Sequence, residues 1–244
     1  MEINKYVGIY RGMEHKHHCE DFALVLQKND WHIAAVADGC SSGITSHFAA
    51  TLACKLLRKC VTNLSFEGDI SPEAGGLQLL HLWIAELKQA AQLLSLERDE
   101  LLATLLLLIY HPKHDSALIW ALGDGIVAID GKIEEIDHQN LPDYPAYHLH
   151  DSPQDMLSYL TKQTFLVKKP RQIAISTDGA ASFQSSGQLS ASEGQRFALT
   201  YLLNDTPFEK NNQMIARQIN VLFNQYGLAP QDDIGIVKFL FKRD

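Results

Sequence analysis

Three apolar runs in this sequence lead into an aspartate that is followed by a glycine. Asp38 follows IAAVA, Asp124 follows LIWALG and Asp178 follows IAIST. A carboxylate buried inside a strand would lose its hydration without compensation, so each aspartate is predicted to end its strand on the rim of a sheet. The glycine permits a tight turn or the close approach of another segment. The chain is therefore predicted to fold into strands with acidic ends.

Two pairs of neighbouring acidic residues extend this pattern. Glu20 and Asp21 stand at the start of an early apolar run, and Asp232 and Asp233 stand at the start of the last one. A single Asp-Gly pair most often marks only a turn. Carboxylates gathered on one rim, however, repel one another and raise one another's pKa unless cations neutralise them. The set favours hard, oxygen-preferring ions such as Mg²⁺ or Mn²⁺ over dispersed turns.

Hydrophobic periodicity predicts a single domain over residues 1–244 that mixes strands and helices. Strands near both chain ends with helices between them are typical of an α+β domain whose sheets are covered by helices. Residues 137–160, with Pro142, Pro145 and Pro153, are predicted to form a long excursion with little regular structure. The predicted elements are strands at 7–10, 22–27 and 31–37, helices at 46–61 and 77–96, an antiparallel meander at 103–137, strands at 164–169 and 171–177, a mostly helical region at 191–226 and a strand at 233–241.

Charge and cysteine content argue against several classes of partner. Lys and Arg total 21 against 29 Asp and Glu, a formal net charge of -8, which disfavours nucleic acid or an anionic membrane as the main partner. The four cysteines lack zinc-ribbon spacing and no secretory leader is recognised, so we expect reduced thiols in a cytoplasmic protein. The longest apolar stretch, residues 101–110, is about half of the ~20 residues that a membrane-spanning helix needs.

Six motifs follow one another along nearly the whole chain: CEDF at 19–22, AVADGCSSG at 35–43, ATLLLLI at 103–109, LGDG at 122–125, ISTDGA at 175–180 and QDDIGIV at 231–237. In order and spacing they resemble the metal-dependent protein phosphatase family, type 2C, in its bacterial branch. The resemblance implies a four-layer αββα sandwich of two antiparallel β-sheets flanked by helices. It also implies hydrolysis of phosphoserine or phosphothreonine in proteins by water that two Mn²⁺ or Mg²⁺ ions activate.

The same resemblance implies roles for the acidic residues, of which Asp38, Asp178 and Asp232 would be catalytic through the ions they hold. Asp38 would bridge both ions, and the Gly39 carbonyl would bind one of them. Asp178 and Asp232 would complete the other ion's site. The remaining implied metal ligands are Glu20, Asp21 and Asp124. Glu20 and Asp21 occupy the early acidic pair, one of which contacts the second ion directly or through water. Asp124 matches the position that supports a weaker third ion in some members.

Three positions depart from the usual pattern of that family. Cys40 stands where a histidine often protonates the leaving oxygen, and we expect it to be a small residue near the ions rather than a nucleophile. Lys16 stands where many relatives carry a phosphate-binding arginine, and it offers charge without a bidentate fork. Asp233 replaces an asparagine and could share the metal-ligand role.

The neighbouring histidines His15, His17 and His18 with Cys19 are spaced too tightly for one tetrahedral zinc ion, so a phosphate-side or solvated loop is favoured. The excursion at 137–160 lies where family members carry a flap beside the active site, and it could help to select substrates.

The expected partner is a phosphorylated protein whose phosphate a Ser/Thr kinase adds, and a monomer is expected rather than an oligomer. Two alternatives remain open. One is a catalytically weak or inactive module that binds a phosphoprotein, which the absence of the histidine at position 40 motivates. The other is a two-metal nuclease, which the net acidity disfavours.

Overall fold

The computed structural model of the protein describes residues 2–41, 43, 45–65, 70–139, 141–186 and 190–243. Ser42 of the AVADGCSSG motif and Asn140 of the predicted excursion lie outside these ranges.

Strands dominate both chain ends, and helices separate the strand groups. The elements are β1 (Glu2–Tyr10), β2 (Asp21–Lys28), β3 (Trp31–Asp38), α1 (Ser46–Asn63), α2 (Pro72–Leu94), β4 (Leu105–His111), β5 (Ser116–Leu122), β6 (Gly125–Ile129), β7 (Lys132–Ile136), α3 (Pro153–Thr161), β8 (Thr164–Lys168), β9 (Gln172–Ser176), β10 (Phe183–Ser185), α4 (Ala191–Leu203), α5 (Met214–Tyr226), β11 (Leu228–Pro230) and β12 (Ile234–Lys242).

The long strands of the described chain form two antiparallel sheets of five strands each. One sheet has the order β1-β12-β9-β6-β7 and the other has the order β2-β3-β4-β5-β8. A short pair, β10 and β11, stands apart from both. Strands from the two chain ends pair directly, because β1 runs antiparallel to β12 over its whole length.

Both faces of the central strands are covered, which explains their continuous apolar sequences. In β4, Leu106 and Leu108 pack between the two sheets. Leu105 and Leu107 of the same strand point the other way, into the core that α1 and α2 cover. Because successive side chains along a strand point to opposite faces, β4 contributes residues to two separate cores.

The last strand shows the same division on the opposite sheet. Val237 and Phe239 of β12 pack between the sheets, whereas Ile236 and Leu240 face the core covered by α4 and α5. The order of layers is therefore helices, sheet, sheet, helices. This confirms the α+β class and the expected four-layer αββα sandwich.

The predicted antiparallel meander at 103–137 is wrong in one respect. β4 and β5 belong to one sheet, and β6 and β7 belong to the other, so the chain crosses between sheets after Leu122. Gly123 makes the crossing with φ of +93°, a conformation that glycine adopts without strain. Periodicity could not predict this crossing, because strands buried on both faces have the same pattern in either sheet.

The excursion at 137–160 contains more regular structure than its sequence predicts. A 3₁₀ turn spans Pro145–His148, and α3 begins at Pro153. Ser152 caps α3 by accepting a hydrogen bond from the Asp155 backbone N–H, and proline at the first helical position needs no donor. Among the described residues, no helix is both long and apolar enough to cross a membrane.

Helix α2 approaches its sheet closely because two successive glycines face aromatic rings. A Cβ atom at Gly75 would collide with the Trp31 indole, and one at Gly76 would overlap the Trp120 indole. About two turns further along the helix, Trp83 donates a hydrogen bond of 2.8 Å from its indole nitrogen to the Ala53 carbonyl of α1. The glycines thus set the spacing between this helix layer and the sheet.

We predict that Gly76→Ala destabilises the protein. Alanine in place of glycine inside a helix normally adds about 1 kcal/mol of stability. Here the added methyl group would overlap the Trp120 ring, and overpacking of this kind costs about 1–3 kcal/mol. We expect the free energy of unfolding, measured by urea denaturation, to fall.

Ala85→Gly, at an exposed position of the same helix, is the matched control. It should lose about 1 kcal/mol through helix propensity alone. A Gly76→Ala protein that is more stable than the wild type would contradict the packing described for Trp120.

Candidate active site

The first two motifs meet at one end of the β2–β3 hairpin. Asp21 begins β2 and Asp38 ends β3, and the antiparallel register places them directly opposite each other. Asp21 is buried and Asp38 is half-buried, and the two carboxyl groups lie close enough to shift each other's pKa. Burial is the main cause that raises the pKa of Asp21 to about 8 and that of Asp38 well above its ordinary value.

A hydrogen bond joins this pair to the other sheet. Thr177, which follows β9, donates from its hydroxyl to Asp21 Oδ2 at 2.6 Å and also receives the Gly235 backbone N–H at 2.9 Å. The second oxygen of Asp21, Oδ1, is buried and has no hydrogen-bond partner. A buried carboxylate oxygen without a hydrogen-bond partner destabilises the folded state unless a cation lies next to it.

The remaining strand-end aspartates act on the same pair. Asp178 opens a 3₁₀ turn immediately after Thr177. Burial raises the pKa of Asp178 to about 6, and the charges of Asp232 and Asp124 add to the shift. The charges of Asp178 and Asp232 in turn raise the pKa of Asp38. The structure therefore brings Asp21, Asp38, Asp124, Asp178 and Asp232 close enough for their charges to affect one another.

Two glycines allow the carboxylate-bearing segments to pack together. A Cβ atom at Gly39 would collide with the Ser46 carbonyl, and one at Gly179 would collide with the Asp233 carbonyl. The Gly39 backbone N–H also donates to the Glu20 carbonyl at 3.1 Å. This explains why glycine follows the aspartate at both strand ends.

Asp233 holds the loop between β1 and β2 against the last motif. Only 2% of this residue is exposed, and its oxygens lie 2.7 Å from the Gly12 backbone nitrogen, 2.5 Å from the Glu20 backbone nitrogen and 2.7 Å from His15 Nδ1. Both of its oxygens are therefore engaged within the protein. The suggestion that Asp233 also binds metal stays a prediction.

His15 is the basic group of this cluster, and sequence reasoning missed it. Its Nε2 lies 3.3 Å from Asp232 Oδ1, while its Nδ1 contacts Asp233. Burial opposes the charged form, but the hydrogen bond with Asp233 and nearby carboxylates raise the pKa of His15 overall. In the sequence it was one of several histidines in a polar loop, so nothing distinguished it.

The excursion reaches the site at two points that the sequence did not reveal. His138 lies on Asp124, with Nδ1 2.5 Å and the backbone nitrogen 3.0 Å from Oδ1. Tyr144 is hydrogen-bonded to the Cys40 thiol, and the nearby charge of Asp38 contributes to a raised pKa of its phenol, for which burial is the main cause. His138 and Tyr144 thus contact the LGDG and AVADGCSSG motifs.

Lys16 lies outside the carboxylate cluster. It is exposed, and its carbonyl accepts a hydrogen bond of 3.3 Å from Arg11. It lines a groove that adjoins His15 and Glu20. The side chain of Glu20 accepts a hydrogen bond of 2.7 Å from Ser41.

The donor set of the cluster fits hard divalent cations. In the described part of the chain, no group of three or more Asp, Glu, His or Cys side chains lies close enough together to hold a metal ion as it stands. The carboxylates nevertheless gather on one rim, Asp21 Oδ1 lacks a partner, and the described ion pairs of Asp232 and Asp233 involve His15 rather than Lys or Arg. Oxygen ligands without cationic neighbours are what Mg²⁺ and Mn²⁺ prefer.

A family model, protein phosphatase 2C, matches residues 11–215, which is most of the chain. The chain belongs to the protein phosphatase 2C family. The match confirms the family suggested by the six motifs. A sequence comparison with curated proteins finds no match.

Solved structures of bacterial phosphatases share the fold of this family member. The serine/threonine phosphatase Stp1 from Staphylococcus aureus matches with a TM-score of 0.65 and 11% identity, over 100% of this chain and 96% of that one. RsbX, solved in complex with magnesium, matches with a TM-score of 0.55 and 14% identity over 98% and 96%.

The phosphatase domain of SpoIIE from Bacillus subtilis, solved with a fragment of its regulatory domain, matches with a TM-score of 0.62 and 11% identity. All of this chain is covered, but it spans only 64% of the SpoIIE chain. At identities this low, the similarity supports only the fold of the present chain. The chemistry of its site has to be argued from its own residues.

We predict that the metal-free protein loses stability as pH rises from 5 to 7. The ordinary pKa of an aspartate is about 4, whereas the folded state raises that of Asp178 to about 6 and that of Asp21 to about 8. Between these limits the folded state binds more protons than the unfolded state, so the free energy of unfolding falls with rising pH. One pKa unit corresponds to about 1.4 kcal/mol, which is the scale of the expected change. Burial lowers the pKa of His32 to about 4, which opposes the loss between pH 5 and about 6.5, so the contribution of the carboxylates is read from the difference between the wild type and Asp38→Asn.

Urea unfolding in EDTA at the two pH values measures this loss. Asp38→Asn removes one of the facing charges and should reduce the difference. Saturating Mn²⁺ should restore stability at pH 7 in the wild type, because a ligand bound only to the folded state stabilises it. Equal pH dependence in the wild type and Asp38→Asn would rule out the carboxylate cluster as the cause.

Proposed function

We propose that this chain hydrolyses phosphoserine and phosphothreonine in proteins, using two Mn²⁺ or Mg²⁺ ions held at the rim where its two sheets meet. Membership of the protein phosphatase 2C family supports serine/threonine phosphatase activity in general. The observation that carries the metal-dependent mechanism is the Asp21–Asp38 pair, which lies within electrostatic reach of Asp178 and in which the buried Asp21 Oδ1 has no hydrogen-bond partner.

The proposed ligands follow from position and surroundings. Asp38 would contact both ions and the Gly39 carbonyl one of them, and Asp178 and Asp232 would hold the other. The mutual pKa effects of these carboxylates support their proximity. The further proposed ligands are Glu20 and Asp21 for the second ion, Asp124 for a third, and Asp233, whose oxygens already have protein partners.

When bound, the ions would lower the pKa of a water molecule towards neutrality and offset the charge that develops on the phosphoryl group. The protein's own residues would fix the ligands in place. Thr177 holds Asp21 Oδ2 at 2.6 Å, and the Ser182 hydroxyl accepts the Asp232 backbone N–H at 3.0 Å. Such supporting hydrogen bonds orient metal ligands.

We assign no proton-donating role to Cys40. Its thiol is hydrogen-bonded to the Tyr144 hydroxyl. The raised pKa of the Tyr144 phenol makes that hydroxyl a weak acid as well. The proton for the leaving oxygen is therefore proposed to come from water. Lys16, exposed beside the cluster, would attract the phosphate by charge.

We further propose that residues 1–244 form one catalytic domain, that residues 137–160 act as a flap, and that the protein works as a cytoplasmic monomer opposing a Ser/Thr kinase. Contacts of His138 with Asp124 and of Tyr144 with Cys40 support the flap assignment.

A second candidate is a catalytically weak or inactive phosphoprotein-binding module, which Cys40 in place of the usual histidine favours. Hydrolysis of p-nitrophenyl phosphate by the purified protein in Mn²⁺ would exclude it. Activity on a phosphopeptide without activity on DNA or RNA would exclude a nuclease.

We predict that Asp38→Ala abolishes Mn²⁺-dependent hydrolysis and Mn²⁺ binding while the fold is retained. Asp178→Asn should behave in the same way, because both side chains are proposed to hold ions. Phosphopeptide turnover and titration calorimetry with Mn²⁺ measure the two effects, and circular dichroism checks the fold.

The matched control for these variants is Asp99→Asn, because the Asp99 side chain is 66% exposed. It should retain activity. Unchanged turnover in Asp38→Ala would overturn the two-metal assignment.

We predict that Cys40→Ala changes kcat by less than about tenfold, since the thiol is neither a nucleophile nor an acid in this mechanism. General acid–base catalysis contributes about 10²–10⁴-fold, so a loss of about a thousandfold would show that Cys40 takes part in the chemistry. The measurement is kcat on a phosphopeptide and on p-nitrophenyl phosphate across pH.

A further inference from the structure

Both ring nitrogens of His148 face carboxylates within residues 143–151, a segment that we name the flap turn. Nε2 lies 2.7 Å from Asp143 Oδ1, and Nδ1 lies 2.6 Å from Asp151 Oδ2. An ionised carboxylate only accepts hydrogen bonds, and a neutral imidazole carries a single N–H. Both contacts are therefore hydrogen bonds only when His148 is protonated. The neutral ring would turn a lone pair towards one of the carboxylates.

Helix α3 anchors this arrangement from below. The rings of His148 and Tyr159 stack with centroids 3.8 Å apart and an angle of 20° between their planes. The Tyr159 hydroxyl donates to the Asp143 carbonyl at 2.8 Å, and the Lys162 ammonium lies 3.1 Å from Asp143 Oδ2. Tyr159 is itself buried in the core beneath α1 and α2. The flap turn is thus tied to a helix that is fixed in the core.

Charged groups on the α2 side contact the flap turn at other residues. They are Lys88 and Glu97, which line a groove with His150, and Arg98, whose guanidinium lies 5.4 Å from the centre of the Tyr147 ring. The described ion pairs of His148 are with Asp143 and Asp151. Burial opposes the charged form, but the hydrogen bonds and charges of these two aspartates raise the pKa of His148 overall.

The flap turn also carries a residue that reaches the proposed active site. Tyr144 follows Asp143 in the chain, is buried, and is hydrogen-bonded to the Cys40 thiol. Tyr144 and Leu149 both pack in the core beneath α1 and α2. These apolar contacts keep the turn in place in either protonation state of His148. Loss of the His148 contacts would therefore make the turn open more often rather than unfold it.

We propose that His148 is a pH-sensitive latch: as an imidazolium between Asp143 and Asp151 it holds Tyr144 on Cys40, and without its proton it lets the flap turn open more often. The latch lies outside the carboxylate cluster. It rests on the proposed phosphatase function only for its effect on substrate.

The direction of the pH effect follows from the protonated form of the latch. The ordinary pKa of histidine is about 6.5, and the closed turn raises that of His148. The latch contributes fully below pH 6.5, and its contribution is lost as pH rises through the raised value.

Amide hydrogen exchange in EDTA measures how often the flap turn opens. The Tyr147 N–H donates to the Tyr144 carbonyl and the Asp151 N–H to the His148 carbonyl, each at 3.0 Å, so peptides covering residues 143–151 report on the turn. We expect exchange, corrected for the intrinsic effect of pH on amides, to be about tenfold faster at pH 8.5 than at pH 6, because two partly exposed ion contacts are lost.

Two variants distinguish a latch from a purely structural turn. His148→Gln has no charge, and it should exchange at both pH values as fast as the wild type does at pH 8.5. Asp151→Asn should exchange slowly at both pH values, because a neutral imidazole can donate to Asp143 and accept a hydrogen bond from the introduced amide.

The matched control is His150→Gln, an exposed histidine of the same turn that takes no part in the described contacts of His148. It should keep the wild-type change with pH. The carboxylate cluster is intact in Asp151→Asn, so a change of wild-type size in that variant would overturn the latch. The absence of a change in the wild type would overturn it as well.

Kinetics in saturating Mn²⁺ separate the latch from the proposed reaction. From pH 6 to 8.5, the phosphopeptide KM of the wild type relative to Asp151→Asn should rise by about threefold, with a smaller change in the kcat ratio, because an opening flap holds substrate less well. A constant KM ratio would overturn this effect on substrate. If no peptide is hydrolysed but exchange follows the expected pattern, the latch stands and the phosphatase proposal fails. Hydrolysis without that exchange pattern would overturn the latch alone.

Discussion

The contact between Asp21 and Asp38 is the constraint on which the rest of the site depends. The hairpin register places the two residues opposite each other, and the burial of Asp21 limits the screening of their charges by water. A pair of this kind opposes folding unless a proton or a cation lies between the groups. Its place at the meeting point of two sheets supports the proposal that this rim binds a cation.

The layered fold converts that local pair into a larger cluster. Strand β9 of one sheet delivers Thr177 and Asp178 to the rim where β2 and β3 of the other sheet present their aspartates. Strands β3 and β9 are largely buried on both faces, so a carboxylate finds space only at their ends. Glycine at 39 and 179 then permits backbone contacts that any larger residue would prevent.

Sequence reasoning located most of the strands, the two first helices and the acidic strand ends, because these depend on local alternation and on the solvation of charge. It could not assign β6 to the second sheet, since a strand buried on both faces looks the same in either. It also missed His15 and His138, whose partners Asp233 and Asp124 are distant or separated by a hairpin in the chain. Contacts of this kind arise from the tertiary fold and leave no periodic signal.

The close approach of α2 to its sheet has a practical consequence. The chain contains three tryptophans, and Trp31, Trp83 and Trp120 all lie in the core beneath α1 and α2. The core beneath α4 and α5, as described, is built from aliphatic residues with Tyr6 and Phe183. Intrinsic tryptophan emission therefore reports the integrity of one half of the sandwich, whereas tyrosine-based signals are needed to follow the half that carries β1 and β12.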